Sequence, residues 1–130
     1  MKHAWIGGRF GPVEIIGELA SKSNSRKIVR FGSRVASIKS QAARDYVKSF
    51  ILQAGHYDKA FEGPVKLVAV CWYKDMRRDL DIALLQDCIQ AAGIIKNDRQ
   101  VWEIQARRRL DKKEPRVVFF LEALDEEALK

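Results

Sequence analysis

The sequence predicts an α+β fold, a small mixed β-sheet packed against two main helices, within one domain of residues 1–130. The dense run of β-formers from Val65 to Tyr73 reads as a buried central strand. Two other stretches repeat their apolar residues at helical spacing: Ile38, Ala42, Tyr46, Phe50 and Ala54 in one, Leu84, Leu85, Cys88, Ile89 and Ala92 in the second. A chain this short, with 47% hydrophobic residues, fills one core and is too small for two ordinary domains.

Residues 1–12 carry Gly7-Gly8 and Gly11-Pro12 and read as a loose N-terminal extension or a short hairpin. Residues 13–19 make a first strand and residues 28–31 a short one ending at Gly32. The first helix is expected over residues 37–54, closed by Gly55, with Tyr46 and Phe50 in the core and Arg44 and Lys48 one turn apart outside. Gly63-Pro64 breaks the chain before the central strand, whose Trp72 reads as core ahead of dimer surface. The second helix starts near Asp81 and stops at Gly93; Asn97-Asp98 then turns the chain into a strand. Val101 to Leu110 and residues 116–121 read as a hairpin-like pair, with Trp102, Ile104 and Ala106 on a dry face and Glu103, Gln105 and Arg107 on a wet one. Residues 123–130 form an acidic tail.

The chemistry concentrates between Lys74 and Val101. Asp79-Leu80-Asp81 sets two carboxylates on one side of an extended segment, and the loop holding Asp98 is expected to return to the helix start, so that three acids share one site. Clustered carboxylates repel, and Mg2+, which takes oxygen ligands and keeps waters, answers that charge. The same spacing also describes a capped helix start followed by an Asn-Asp turn.

The net charge of +7 is uneven: between residues 20 and 48, eight lysines and arginines face Asp45 alone. A cluster of that kind attracts polyanions. Within it, Lys22, Asn24, Arg26 and Lys27 lie in a polar loop suited to phosphate contacts. Arg107, Arg108, Arg109, Lys112 and Lys113 make a second basic group, which serves either DNA contact or protection of an edge strand. Cys71 and Cys88 read as buried free thiols, and the lack of CxxC spacing with only two histidines, both expected at the surface, argues against zinc. No apolar run nears the roughly 20 residues that span a bilayer and no signal-peptide core is present, which predicts a cytoplasmic protein.

Arg77-Arg78-Asp79-Leu80-Asp81, a helix, and Asn97-Asp98-Arg99-Gln100-Val101 together resemble the RusA-like crossover-junction endodeoxyribonucleases, whose pattern runs R-D-L-D-N, a helix, then D-D-x-Q-V. The resemblance spans roughly residues 13–122 and implies a RusA-like fold, resolution of four-way (Holliday) junctions in DNA recombination and repair, and a homodimer. It implies that Asp79, Asp81 and Asp98 are the catalytic residues and bind Mg2+, with Mn2+ as a substitute. Two positions depart from the pattern: Ile82 replaces the family's asparagine, and Leu85 replaces its catalytic lysine, on the helical face of Asp81. A cation from Lys74, Arg77, Arg78 or Lys96 then has to serve, alongside DNA binding. The alternatives are a junction-binding protein with weakened or lost turnover, or a non-enzymatic nucleic-acid-binding module.

Overall fold

The computed structural model describes residues 3–20, 26–31, 34–77 and 80–125. In chain order it forms β1 (Trp5–Ile6), β2 (Arg9–Ile16), β3 (Arg26–Phe31), β4 (Arg34–Lys39), α1 (Gln41–Ala54), β5 (Val65–Tyr73), α2 (Ile82–Ala91), a 3-10 turn (Asp98–Gln100), β6 (Val101–Leu110) and β7 (Arg116–Ala123). This is the expected α+β class: a mixed five-stranded sheet, ordered β1-β2-β7-β5-β6, with two helices. β3 and β4 pair separately.

β5 organises the sheet because its side chains alternate strictly. Val65, Leu67, Ala69, Cys71 and Tyr73 are buried on the helix side, while the residues between them are half-buried on the other. It runs antiparallel to β7 and parallel to β6. From α1, Phe50 stacks on Phe119 of β7 with ring centroids 5.6 Å apart. From α2, Leu84, Leu85, Cys88 and Ile89 join the same core. Gly93 ends that helix with φ +81, and a Cβ there would collide with the Tyr57 carbonyl oxygen, so the expected stop is enforced twice.

Several expectations are corrected. Residues 34–39 belong to a strand, and α1 starts later, because the Ser40 side chain accepts the Ala43 amide at 3.2 Å and caps the helix there. Of the two readings of residues 1–12, the short hairpin is the one observed from residue 5 onward: Gly7 and Gly8, both at positive φ, turn β1 into β2, which starts at Arg9 and ends at Ile16. β6 and β7 are not neighbours. A strand that follows a helical crossover must run parallel to β5, so β5 takes the central place between them. Trp72 is half-buried on the helix-free face, with the Arg116 guanidinium 4.0 Å over its ring. Trp102 and Ile104, expected to be dry, are 52% and 45% exposed. Beyond residue 125 the acidic tail lies outside the described residues.

Tyr46 and Phe50 are in the core, and both cysteines are buried and free, as expected. Burial pushes the Cys71 thiol up to about 12. A thiol that is both inaccessible and protonated reacts slowly. In native protein at pH 8, neither cysteine should react with a thiol-specific chromogenic disulfide within minutes, whereas both should react in denaturant; rapid titration of the native protein would contradict the packing.

Candidate metal centre and DNA surface

Asp81 stands at the N-terminus of α2, where its Oδ1 accepts the Leu84 amide at 3.0 Å. The cap fixes the side chain, and its carboxylate favours the positive end of the helix dipole. At 6% exposure it is the one buried charged side chain among the described residues, and no lysine or arginine there pairs with it. Its own backbone amide reaches the Tyr73 hydroxyl, whose proton is held firmly by burial and by the charges of Glu18 and Asp81. Asp79 and Arg78 lie outside the described residues. An anchored carboxylate with no described lysine or arginine paired to it suits a hard metal ion, which needs oxygen donors already held in place.

Asp98 is positioned differently, by glutamines. Its amide donates to Gln90 Oε1 at 3.1 Å, and Asn97 Oδ1 accepts the Arg99 amide at 2.9 Å to start the 3-10 turn. Gln100 uses its whole amide. Its Oε1 accepts from the Lys96 and Asn97 amides, both at 2.8 Å, and its Nε2 donates to the Phe61 and Gly63 carbonyls at 2.7 and 2.9 Å. Gln100 therefore ties the Asp98 loop to the segment leading into β5. Asp98 itself is exposed.

The loop does not return to the start of α2 within the chain. Because β5 and β6 are parallel, with Val65 opposite Val101 and Tyr73 opposite Leu110, α2 carries the chain from one end of the sheet to the other. Asp81 lies at the Tyr73 end and Asp98 beyond the Val65 end. Nine residues of strand separate those ends by roughly 26 Å. The expectation that one chain gathers all three acids is thus corrected for Asp81 and Asp98. Among the described residues, no three Asp, Glu, His or Cys side chains gather in a metal-holding group.

The cations divide in the same way. Lys74 and Arg77 are exposed on the loop leaving β5, with the Lys74 amide on Glu18 and the Arg77 amide on Asp75. Lys96 lies at the Asp98 end, its Nζ 3.1 Å from Glu62. Lys22 and Asn24 fall outside the described residues; Arg26 and Lys27 begin β3, opposite Lys39 and Ile38. Leu85 is fully buried in the core, facing the sheet.

The profile of the family described as Endodeoxyribonuclease RusA matches residues 17–122. The chain belongs to that family. Membership makes it a relative of junction-resolving endodeoxyribonucleases that bind DNA junctions. No curated protein matches the chain. No helix among the described residues is long and apolar enough to cross a membrane.

Reading the sequence alone misses what Gln100 does, although it stands in the Gln-Val pair that the family pattern contains. It also misses a pocket of about 460 Å³ at the Asp98 end, walled by Trp5, Phe10, Tyr57 and Ile94. Its walls are mostly apolar and aromatic, with His3, Asp58 and Lys59 also lining it, and a single carboxylate is a poor set of donors for a hard cation. Two of them, Trp5 and Phe10, come from the N-terminal hairpin.

Gln100→Glu should be worse for the Asp98 loop than its size suggests, because an oxygen would then face two carbonyls. A loss of about 2 kcal/mol in chemical denaturation is expected, with Gln100→Met less costly. Equal stability of wild type and Glu variant would contradict the network. Leu85→Lys should lose on the order of 3 kcal/mol, since the ammonium would be unpaired in the core. A thermal melt shows this directly: an unchanged Tm would mean that the position opens to solvent.

Proposed function

We propose that the chain is a Mg2+-dependent endodeoxyribonuclease that resolves four-way DNA junctions as a homodimer in the cytoplasm, with Asp79, Asp81 and Asp98 as metal ligands and Mn2+ as a substitute ion. The observation that carries this reading is Asp81, a buried carboxylate held by a helix cap, uncompensated by any described cation and set within the family's acidic pattern. Bound between such carboxylates, a divalent ion supplies a Lewis acid and an activated water for phosphodiester hydrolysis. The protein supplies fixed geometry. The Leu84 amide holds Oδ1 of Asp81, leaving the second oxygen for a ligand, and Tyr73 steadies the backbone of the same residue. Lys74, Arg77 and Arg78, next to the acids in sequence, meet the phosphates nearest the cut. Lys22, Asn24, Arg26 and Lys27 extend the contact along the DNA backbone, where each neutralised phosphate adds about 0.9 to the salt slope.

Leu85 in the core favours a second reading, in which junction binding outlasts turnover because the family's lysine is missing. Asp81→Asn separates the two functions of its side chain. The amide still caps α2, so stability should hold within about 0.5 kcal/mol, while cleavage of a four-way junction in Mg2+ should fall about 100-fold or more. Asp98→Asn should lose cleavage likewise with junction binding kept. Asp81→Ala should lose cleavage and also about 1 kcal/mol of stability. Cleavage unaffected by either Asn variant would refute the ligand assignment; junction binding without cleavage by the wild type would establish the second reading.

A further inference from the structure

The pocket at the Asp98 end is built by segments far apart in sequence. β1 folds back so that Trp5 stands opposite Phe10, and the Trp5 ring stacks on Phe61 with centroids 4.3 Å apart. Phe10 and Tyr57 meet edge to face at 5.4 Å. The segment between α1 and β5 is tied to the end of α2, because the Tyr57 amide donates to the Ala92 carbonyl at 2.8 Å and the Phe61 amide to the Ile94 carbonyl at 3.1 Å. The polar atoms of the rings are engaged inside these walls. Trp5 Nε1 donates to the Ile94 carbonyl at 3.3 Å; the Tyr57 hydroxyl donates to the Ala54 carbonyl at 2.7 Å and accepts the His3 amide at 3.2 Å. What remains is a braced space of about 460 Å³ bounded by rings. Pockets that take small ligands span roughly 300–1,000 Å³.

We propose that this pocket holds one nucleobase, taken from an unpaired position of a DNA strand. The proposal rests on the nuclease reading above for the DNA; the base is argued from the walls. Ring walls favour a flat guest, and every base has a π-face to stack on them. Asp58 and Lys59, both exposed, line the rim and present an acceptor and a donor side by side. The edge of a base carries donors and acceptors together and answers both. An aliphatic side chain answers neither, and a phosphate meets repulsion from Asp58. A paired base stays in its duplex stack, so the guest is a nucleotide already unpaired or one turned out of the helix.

The pocket is joined to the Asp98 loop in two ways. Gln100 Nε2 donates to the carbonyl of Phe61, the residue on which Trp5 stacks, at 2.7 Å, so the loop and the pocket wall share one anchor. A second groove, of about 490 Å³, shares Asp58 and Lys59 with the pocket and continues past Glu62 to Lys96, just before Asn97-Asp98 in the chain. Its lysines and acids balance, and Lys96 is already 3.1 Å from Glu62, so the groove draws no phosphate chain by charge alone. Recognition lies in the rings. A strand whose base enters the pocket is led along this groove toward Asp98, and the braced walls lose little freedom when the base is bound.

The test compares a four-way junction carrying one unpaired nucleotide with the same junction holding an abasic site there, by fluorescence anisotropy in EDTA, where nothing is cut. The base should tighten binding by the wild type about 10-fold, the contribution of one base–aromatic stack. Ala4 lines the pocket and is exposed, so Ala4→Leu fills space without disturbing the core. That variant should abolish the difference and keep the affinity for the abasic junction. Trp5→Leu should also abolish it, with a thermal melt to separate loss of the ring from loss of the fold. Equal binding of the two junctions by the wild type, or an undiminished difference in Ala4→Leu, would overturn the pocket while leaving the nuclease reading intact. A wild type that binds neither junction would defeat that reading together with the proposal. Displacement of the base-bearing junction by a free deoxynucleoside monophosphate at similar concentration would overturn DNA as the source of the base.

Discussion

The parallel pairing of β5 with β6 is the constraint on which the placement of every candidate residue depends. A chain leaving one strand can enter a parallel neighbour only after crossing the length of the sheet, and α2 makes that crossing. The start of the helix and the loop after it then belong to opposite ends of the sheet. Asp81, Tyr73, Lys74 and Arg77 gather at one end, and Asp98, Lys96, Gln100 and the aromatic pocket at the other. The same pairing leaves β6 at the edge with its outer side open. An acidic pattern that is contiguous in sequence is divided in space by the topology that carries it.

Much of this was legible in the residues, and what was not has a physical reason. β5 was read to the residue because its alternation and β-branched content agree with full burial on one face. α2 and its stop were legible because Gly93 answers both a dihedral and a steric demand. The sequence pattern takes residues 37–39 into the helix because Ile38 happens to continue the four-residue apolar repeat, and the capping role of Ser40 outweighs that periodicity. The neighbours of β6 were misread because periodicity reports which face is buried and carries no information about strand order. The position of Asp98 is hidden for the same reason: sequence pattern lets a loop after a helix turn back, and the parallel strand beyond it forbids this.

The two readings of Asp-x-Asp, a helix cap and a metal ligand, do not exclude each other, and the cap is the one observed at Asp81. An ionised carboxylate offers about four lone-pair sites, and the Leu84 amide occupies one. Capping holds the carboxylate still, and ligation needs that. A solvated aspartate on a mobile loop would have to be ordered each time a metal bound, whereas Asp81 is ordered by the fold. Gln100 acts similarly at the other end, where four hydrogen bonds to one amide fix the loop from which the exposed Asp98 projects.

Leu85 shows why a departure from a family pattern must be read through packing. At i+4 from Asp81, the position lies one turn further along the helix, yet its side chain is committed to the interior beside the sheet. A lysine there needs room for its stem to run out to solvent. Full burial at this position closes that route, so the charge has to come from a group on another element. Among the described residues the exposed cations nearest Asp81 in sequence are Lys74 and Arg77, on a loop whose own amides are tied to Glu18 and Asp75. Their side chains reach outward from fixed backbone, which suits phosphate contact and leaves the interior of α2 apolar. Core packing and the site's charge are thereby assigned to different elements, and a leucine on the helix becomes compatible with a basic site in front of it.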